Sequence, residues 1–495
     1  MRVPLRGYKY CVEESKIVVF HFIQQEQKQK MVQQSLSNVH VLVLPYPAQG
    51  HINPLLQFAK RLASKGVKAT VATTHYTANS IAAPNITVEP ISDGFDRAGF
   101  AEANNDVQLF LSSFRSNGSR TLSQLIKKYH QTPSPVTCIV YDSFFPWALE
   151  VAKEHGVYGA AFFTNSAAVC SIFCRIQRGL IEVPVGAEDL PLRVPGLPAL
   201  DSRALPSFVR FPQSYPAYMA MKLNQFSNLD KADWMFVNTF ETLESEVVEG
   251  LKELFPAKMI GPMVPSAYLD GRIKGDKGYG ASLWKPLNEE CSNWLEEKGP
   301  RSVVYISFGS MVSLTAEQVE EVAWGLKESG VNFLWVLRES EQGKLPCGYR
   351  DLVKDKGLIV TWCNQLELLA HQATGCFVTH CGWNSTLESL SLGVPVLCLP
   401  QWADQLPDAK FLDEIWEVGL WPKEDDNGIV RKQEFVSSLK VVMEGERSEE
   451  IRRNASKWKK LAREAVGEGG SSDKHINQFV KYLMSADKNG SLNVH

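Results

Sequence analysis

From residue 39 onward, short apolar runs rich in Val, Ile and Phe alternate with segments of helical spacing. The runs VHVLVLPY (39–46), VKATVATT (67–74), TCIVYDS (137–143), YGAAFFT (158–164) and WMFVNTF (234–240) read as buried strands. Between the first two, Leu55, Phe58, Ala59 and Leu62 fall at i, i+3, i+4 and i+7, with Pro54 in the first turn and Gly66 past the end. Strand, helix and strand of this length predict a parallel sheet. The pattern fades over 256–290, where Pro, Gly and charge dominate, and an interdomain linker is expected there.

A second series follows: SVVYISFGS (302–310), VNFLWVLR (331–338), GLIVTW (357–362), CFVTHC (376–381) and VPVLCLP (394–400). Thr315 and Gln318 stand at capping-box spacing, ahead of an inward stripe of Val319, Val322, Ala323 and Leu326. Near the end, Ile476, Phe479, Val480 and Leu483 recur at helical spacing. The expected architecture is α/β: two Rossmann-like, doubly wound parallel-sheet domains over 37–255 and 291–470, facing across a cleft. A last helix is expected over 471–487, and residues 1–36 form an N-terminal extension expected to be poorly ordered.

Composition narrows the function classes. A chain of 495 residues, 44% hydrophobic and 22% charged, can bury two cores. A net charge of −3 argues against a nucleic-acid partner. The basic run KWKKLAR (457–463) follows acidic EGERSEE on a predicted helix and reads as a solvated face. Ten cysteines with no C-x-x-C pair read as reduced thiols, which predicts a cytoplasmic protein. No apolar run reaches the roughly 18 residues of a membrane span. The early run KIVVFHFI (16–23) is short and leads into polar QQEQKQK, unlike a signal peptide, and Met31 is a plausible alternative start.

Ligands of open parallel sheets lie beyond the carboxyl ends of the strands, and the unusual residues cluster there. FVTHCGWNSTLESLSLGVPV (377–396) joins strand to helix with His380 at the strand end and Asn384 and Ser385 at the helix start. Free N–H groups and the helix dipole make such a turn an anion site, as a diphosphate requires. Glu388, one turn on, suits vicinal hydroxyls such as those of a ribose, and the small-residue turn Phe308-Gly309-Ser310 can approach the phosphates. Singly, each residue has a plainer reading as a cap, a dipole partner or core, including Trp362 at its strand end; together they favour a nucleotide diphosphate. In the first series, His51 follows strand one and Asp142 ends another strand, a pairing suited to a general base oriented by a carboxylate. No G-x-G-x-x-G, P-loop, G-x-S-x-G or metal-spaced Cys/His cluster occurs, so metal-free chemistry on a nucleotide is expected.

The stretch WCNQLELLAHQATGCFVTHCGWNSTLESLSLGVPVLCLPQWADQ, from Trp362 to Gln405, resembles the signature box of plant family-1 UDP-glycosyltransferases. The resemblance runs from about 38 to 485 and includes PYPAQGHINPLLQFAKRL, CIVYDSFFPWALEVA, FFTNSAAV and VVYISFGSM. Within the family it is most similar to the group that glucosylates small carboxylic acids and phenols such as salicylate, steviol-type diterpenoids and thiohydroximates. It implies a GT-B fold whose last helix returns to the first domain, and an inverting transfer from UDP-glucose to a hydroxyl or carboxyl oxygen. UDP-glucose would be a co-substrate, with no cofactor or metal, and the acceptor a small apolar or aromatic metabolite; a monomer is expected.

Carried over by residue, the resemblance implies that Trp362 stacks on uracil, Gln365 lies beside the nucleoside and Glu388 holds the ribose. His380, Asn384, Ser385 and Ser310 would bind the diphosphate. Trp383, Asp404, Gln405 and, from the other domain, Thr164 would hold the sugar. His51 would be the base and Asp142 its partner. Two departures are Leu406 with Asp408, and Leu420-Trp421. An acceptor wall is guessed at Phe144, Phe145, Phe208, Trp402 and Leu406. The rival readings are an oxidoreductase on the same fold class, a transferase of another sugar, and a sugar-nucleotide-binding protein without turnover.

Overall fold

The computed structural model describes residues 39–282 and 286–490, and within them two parallel sheets form. The extension read over 1–36 lies outside the described residues. The first sheet comprises β1 (His40–Leu44), β2 (Lys68–Thr74), β3 (Thr87–Ile91), β4 (Cys138–Asp142), β5 (Tyr158–Phe163), β6 (Trp234–Val237) and β7 (Lys258–Met259). Its order is β3-β2-β1-β4-β5-β6-β7. The second comprises β8 (Val303–Ser307), β9 (Asn332–Val336), β10 (Gly357–Val360), β11 (Thr374–Thr379), β12 (Val396–Cys398) and β13 (Gly419–Leu420). Its order is β10-β9-β8-β11-β12-β13.

The continuous apolar runs exist because both faces of each sheet are covered. Along β1 the side chains alternate. Val41 and Val43 join a core with Leu55 and Phe58, whereas Leu42 and Leu44 join another with Phe110, Phe114 and Phe145. The first of these cores also takes in Ile476, Phe479, Val480 and Leu483 from the last helix, Ser471–Gly490. That helix therefore packs on the first sheet although it follows the second in sequence.

The segment read as linker is more structured than its composition predicts. Lys258 and Met259 pair with Phe236 and Val237 as the edge strand β7, so the first sheet runs past 255. Beyond it, buried Asp276 accepts hydrogen bonds from Lys60 Nζ (2.9 Å) and Gln57 Nε2 (2.7 Å). Asp270 pairs with Arg61 at 3.2 Å. Polar residues that look like loop chemistry thus strap the segment to the Gln49–Ser64 helix.

In each sheet the strand order reverses at one place, between β1 and β4 and between β8 and β11. Loops diverge at such a point and leave a crevice. His51 follows β1 and Asp142 ends β4; Ser310 follows β8 and His380 follows β11. Both pairs flank their crevices.

Candidate active site

The two crevices merge into one cavity of about 870 Å³. Its lining includes His51, Thr164, Ser310, Trp362, Gln365, His380, Trp383, Asn384, Ser385, Glu388, Asp404 and Gln405. Asp142 lies behind His51, fully buried.

His51 sits in the first turn of the Gln49–Ser64 helix. Its Nδ1 lies 2.6 Å from Asp142 Oδ2, with Thr164 Oγ1 3.2 Å from the same nitrogen. The carboxylate is held in turn by the backbone N–H groups of Phe144, at 3.1 Å to Oδ1, and Tyr46, at 3.4 Å to Oδ2. A carboxylate at Nδ1 selects the tautomer with the proton there and leaves the Nε2 lone pair free to take another. Among the described residues Nε2 has no partner, and the Phe144 ring lies 4.8 Å from the imidazole between centroids.

Facing it, Cys381 at φ 62° turns the chain from β11 into the Trp383–Leu392 helix. The His380 imidazole is clamped by two glycines: a Cβ on Gly309 would lie 2.8 Å from its Cε1, and one on Gly382 2.5 Å from its Nε2. Burial pushes its pKa down to about 4, so it is neutral at pH 7, and Nδ1 has no partner among the described residues. Asn384 Nδ2 donates to the Gly50 carbonyl at 2.5 Å, a bond across the cleft to the residue beside His51.

Deeper in the second domain, Gln365 Nε2 donates to Ser385 Oγ at 2.9 Å and to Glu388 Oε2 at 2.7 Å, while the Tyr305 hydroxyl donates to Gln365 Oε1 at 3.2 Å. Tyr279, from the strapped segment, donates its hydroxyl to Glu388 Oε1 at 2.8 Å. Burial raises the Glu388 carboxyl to about 7, and these two donors only partly offset it. Gln405 Oε1 accepts the N–H groups of Gln401 (2.9 Å) and Trp402 (3.2 Å), which leaves its amide N–H pair to donate.

The sites are therefore assembled from one sheet edge each, and the matches to known proteins agree with that architecture. A family described as UDP-glucoronosyl and UDP-glucosyl transferase matches residues 220–460. A glycosyltransferase N-terminal domain matches 37–84. UDP-glycosyltransferase 74B1 of Arabidopsis thaliana is 52% identical over 90% of this chain and 97% of its own. The chain belongs to the UDP-glycosyltransferases. The Arabidopsis thaliana flavonol 7-O-beta-glucosyltransferase UGT74F1 is 46% identical, over 90% of this chain and 98% of its own. The crystal structure of Os79 from O. sativa in complex with UDP superposes with a TM-score of 0.85 and 40% identity, over 90% of this chain and all of that one.

For this UDP-glycosyltransferase several sequence expectations need correction. The indole N–H of Trp383 donates to the Asn238 carbonyl at 2.7 Å, so no side-chain donor remains for sugar hydroxyls. Trp383 nevertheless lines the cavity. Phe144, Phe208 and Trp402 do line the cavity. Phe145 does not: it packs in the core against Phe114, 4.6 Å between centroids. Leu406 packs against a core built from residues of both domains rather than on the cavity. Aromatic clustering in the sequence does not separate wall from core, because both are apolar.

Other lining residues escaped sequence reading, among them Tyr46, Asp93, Asn165, Tyr218, Lys222 and Tyr279. None carries a local pattern; all arrive through tertiary contact. The departures also find physical roles. Asp408 is buried and accepts from Ser166 Oγ at 3.0 Å, linking the domains, and burial holds its carboxyl well above the usual range. Trp421 stacks under the Arg203 guanidinium, 3.7 Å from the ring centroid.

Proposed function

We propose that the protein transfers glucose, with inversion, from UDP-glucose to a hydroxyl or carboxyl oxygen of a small plant metabolite. The observation that carries this reading is the His51–Asp142 pair at 2.6 Å, lining one cavity with the helix start at 383–385. Trp362 would stack on uracil, Gln365 would lie beside the nucleoside, and Glu388 would exchange its protein donors for ribose hydroxyls. Ser310, His380, Asn384 and Ser385, with the first-turn N–H groups, would hold the diphosphate and stabilise the charge that develops as it leaves. Asp404, Gln405 and Thr164 would orient the sugar. His51 takes the acceptor proton while the acceptor oxygen attacks the anomeric carbon opposite UDP. Enclosure between two domains aligns the reactants and excludes water, limiting hydrolysis of the donor.

Glucose as donor sugar is supported by a relative named as a beta-glucosyltransferase and by Gln405 at the end of the box. A cytosolic setting is supported by the described cysteines, which are all free. The test is incubation with UDP-α-glucose and a panel of phenols, carboxylic acids and terpenoid alcohols, with EDTA present, products scored by mass and anomeric configuration by NMR. Added hexose in a β linkage is expected. An α linkage, a preference for UDP-galactose, or UDP release without any conjugate would each overturn the corresponding part.

A further inference from the structure

Lys222, on the Pro216–Asn224 helix, is the only lysine or arginine among the described residues that line the cavity. It is 6% exposed. An ammonium carries three donors. Here one is met, by Asn165 Oδ1 at 2.9 Å, and the charge otherwise faces the Phe144 ring, 5.0 Å from its centroid. Asp93, Glu388 and Asp404 line the same cavity, yet among the described residues no carboxylate comes within ion-pair distance of Lys222. Asp408 acts on Lys222 only from beyond contact, and a buried charge with no counter-charge in contact is costly, so a ligand that supplies one recovers part of that cost.

The position says which ligand. The Phe144 ring contacts both the His51 ring, 4.8 Å between centroids, and Lys222 Nζ, 5.0 Å from its centroid, so base and ammonium lie no more than about 10 Å apart, within reach of one substituted aromatic ring. Tyr218, one turn earlier on the same helix, lines the wall beside them with Phe208 stacked on it at 5.4 Å. The nucleotide-facing turns at 309–310 and 380–385 belong to the opposite domain.

We propose that Lys222 selects acceptors carrying an anionic group, a carboxylate or sulfonate, about one aromatic ring away from the oxygen that attacks. This rests on His51 being the base. Lys222 then acts on binding and orientation: its charge pins the far end of the acceptor while His51 receives the proton at the near end. The anion is not the nucleophile, which distinguishes this acceptor from one esterified at its only carboxylate.

The test uses two phenols of similar shape, 4-hydroxybenzenesulfonate and neutral 4-(methylsulfonyl)phenol, titrated calorimetrically into the UDP-saturated full chain. Neither sulfur group can accept glucose, so orientation is unambiguous. The wild type is expected to bind the sulfonate at least about tenfold more tightly, Lys222→Met to lose that preference while binding the neutral phenol within about twofold, and Lys222→Arg to keep part of it. In turnover, the change should fall on KM for the sulfonate, with kcat and the KM for UDP-glucose held. Equal affinities in the wild type, or equal losses for both phenols in Lys222→Met, would overturn the proposal; the wild-type comparison stands even if the variant fails to fold. Lys222-dependent preference for UDP-glucuronate over UDP-glucose would move the anion to the donor and also overturn it. Binding discrimination without any transfer would retain the anion site and reject the transferase reading instead.

Discussion

Burial acts on the Glu388 carboxyl of this cavity in a way that can be measured. Glu388 is pushed up to about 7, so between its unfolded value near 4.3 and about 7 the folded protein keeps a proton that the unfolded chain releases. Its contribution is favourable below the unfolded value and is lost as pH rises through 7. Glu388→Gln should therefore flatten the fall of the unfolding midpoint between pH 5 and 8, by on the order of 3 kcal/mol across the window. A variant curve parallel to the wild type would contradict the raised carboxyl. At His51 the acceptor decides the outcome. A phenol with pKa about 10 needs a base at neutral pH, whereas a carboxylic acid with pKa about 4 is already ionised. His51→Ala is expected to cut phenol glucosylation by roughly 10²–10⁴ while sparing more of any ester formation. Matched assays giving equal losses, with UDP-glucose binding intact, would reject that division.

At the scale of elements, the strand–helix turn at 379–383 depends on what its neighbours lack. Gly309, at φ +71°, occupies a conformation that a side chain disfavours, and its missing Cβ makes room for the His380 ring. Gly309→Ala should displace that imidazole and weaken UDP binding about tenfold or more, read by calorimetry, with the fold retained by circular dichroism. Unchanged affinity would mean that His380 does not touch the nucleotide. The longer strands and the Gln49–Ser64 helix were legible because burial on both faces, or on one stripe, leaves an apolar period. The short edge strands β3, β7 and β13 were not. TVEPI carries a proline and is exposed or half-buried at all but its last position, and two-residue strands such as Lys258–Met259 are too brief to show any period.

For the whole molecule, the segment between the domains is held rather than loose. Lys60 and Asp276 pair at 2.9 Å with 8% and 2% of their side chains exposed. Asp276→Ala strands a buried ammonium and should cost about 3–5 kcal/mol in denaturant unfolding, against little for Asp276→Ala paired with Lys60→Met. The same strap presents Tyr279 to Glu388, so the second domain's side of the cavity borrows a residue from outside its own sheet. Local pattern was sufficient for the longer strands of the two sheets, the strand–helix turn at 380–385 and the strand-end placement of His51 and Asp142, because period, capping and strand-end chemistry are properties of neighbouring residues. It was insufficient for which aromatic residues face the cavity, for the spent indole of Trp383, and for Lys222 and Tyr279. Those depend on contacts between distant segments: His51 meets Asp142 across 91 positions, and Asn384 meets Gly50 across 334. Only packing in three dimensions sets which groups lose water and which partners replace it.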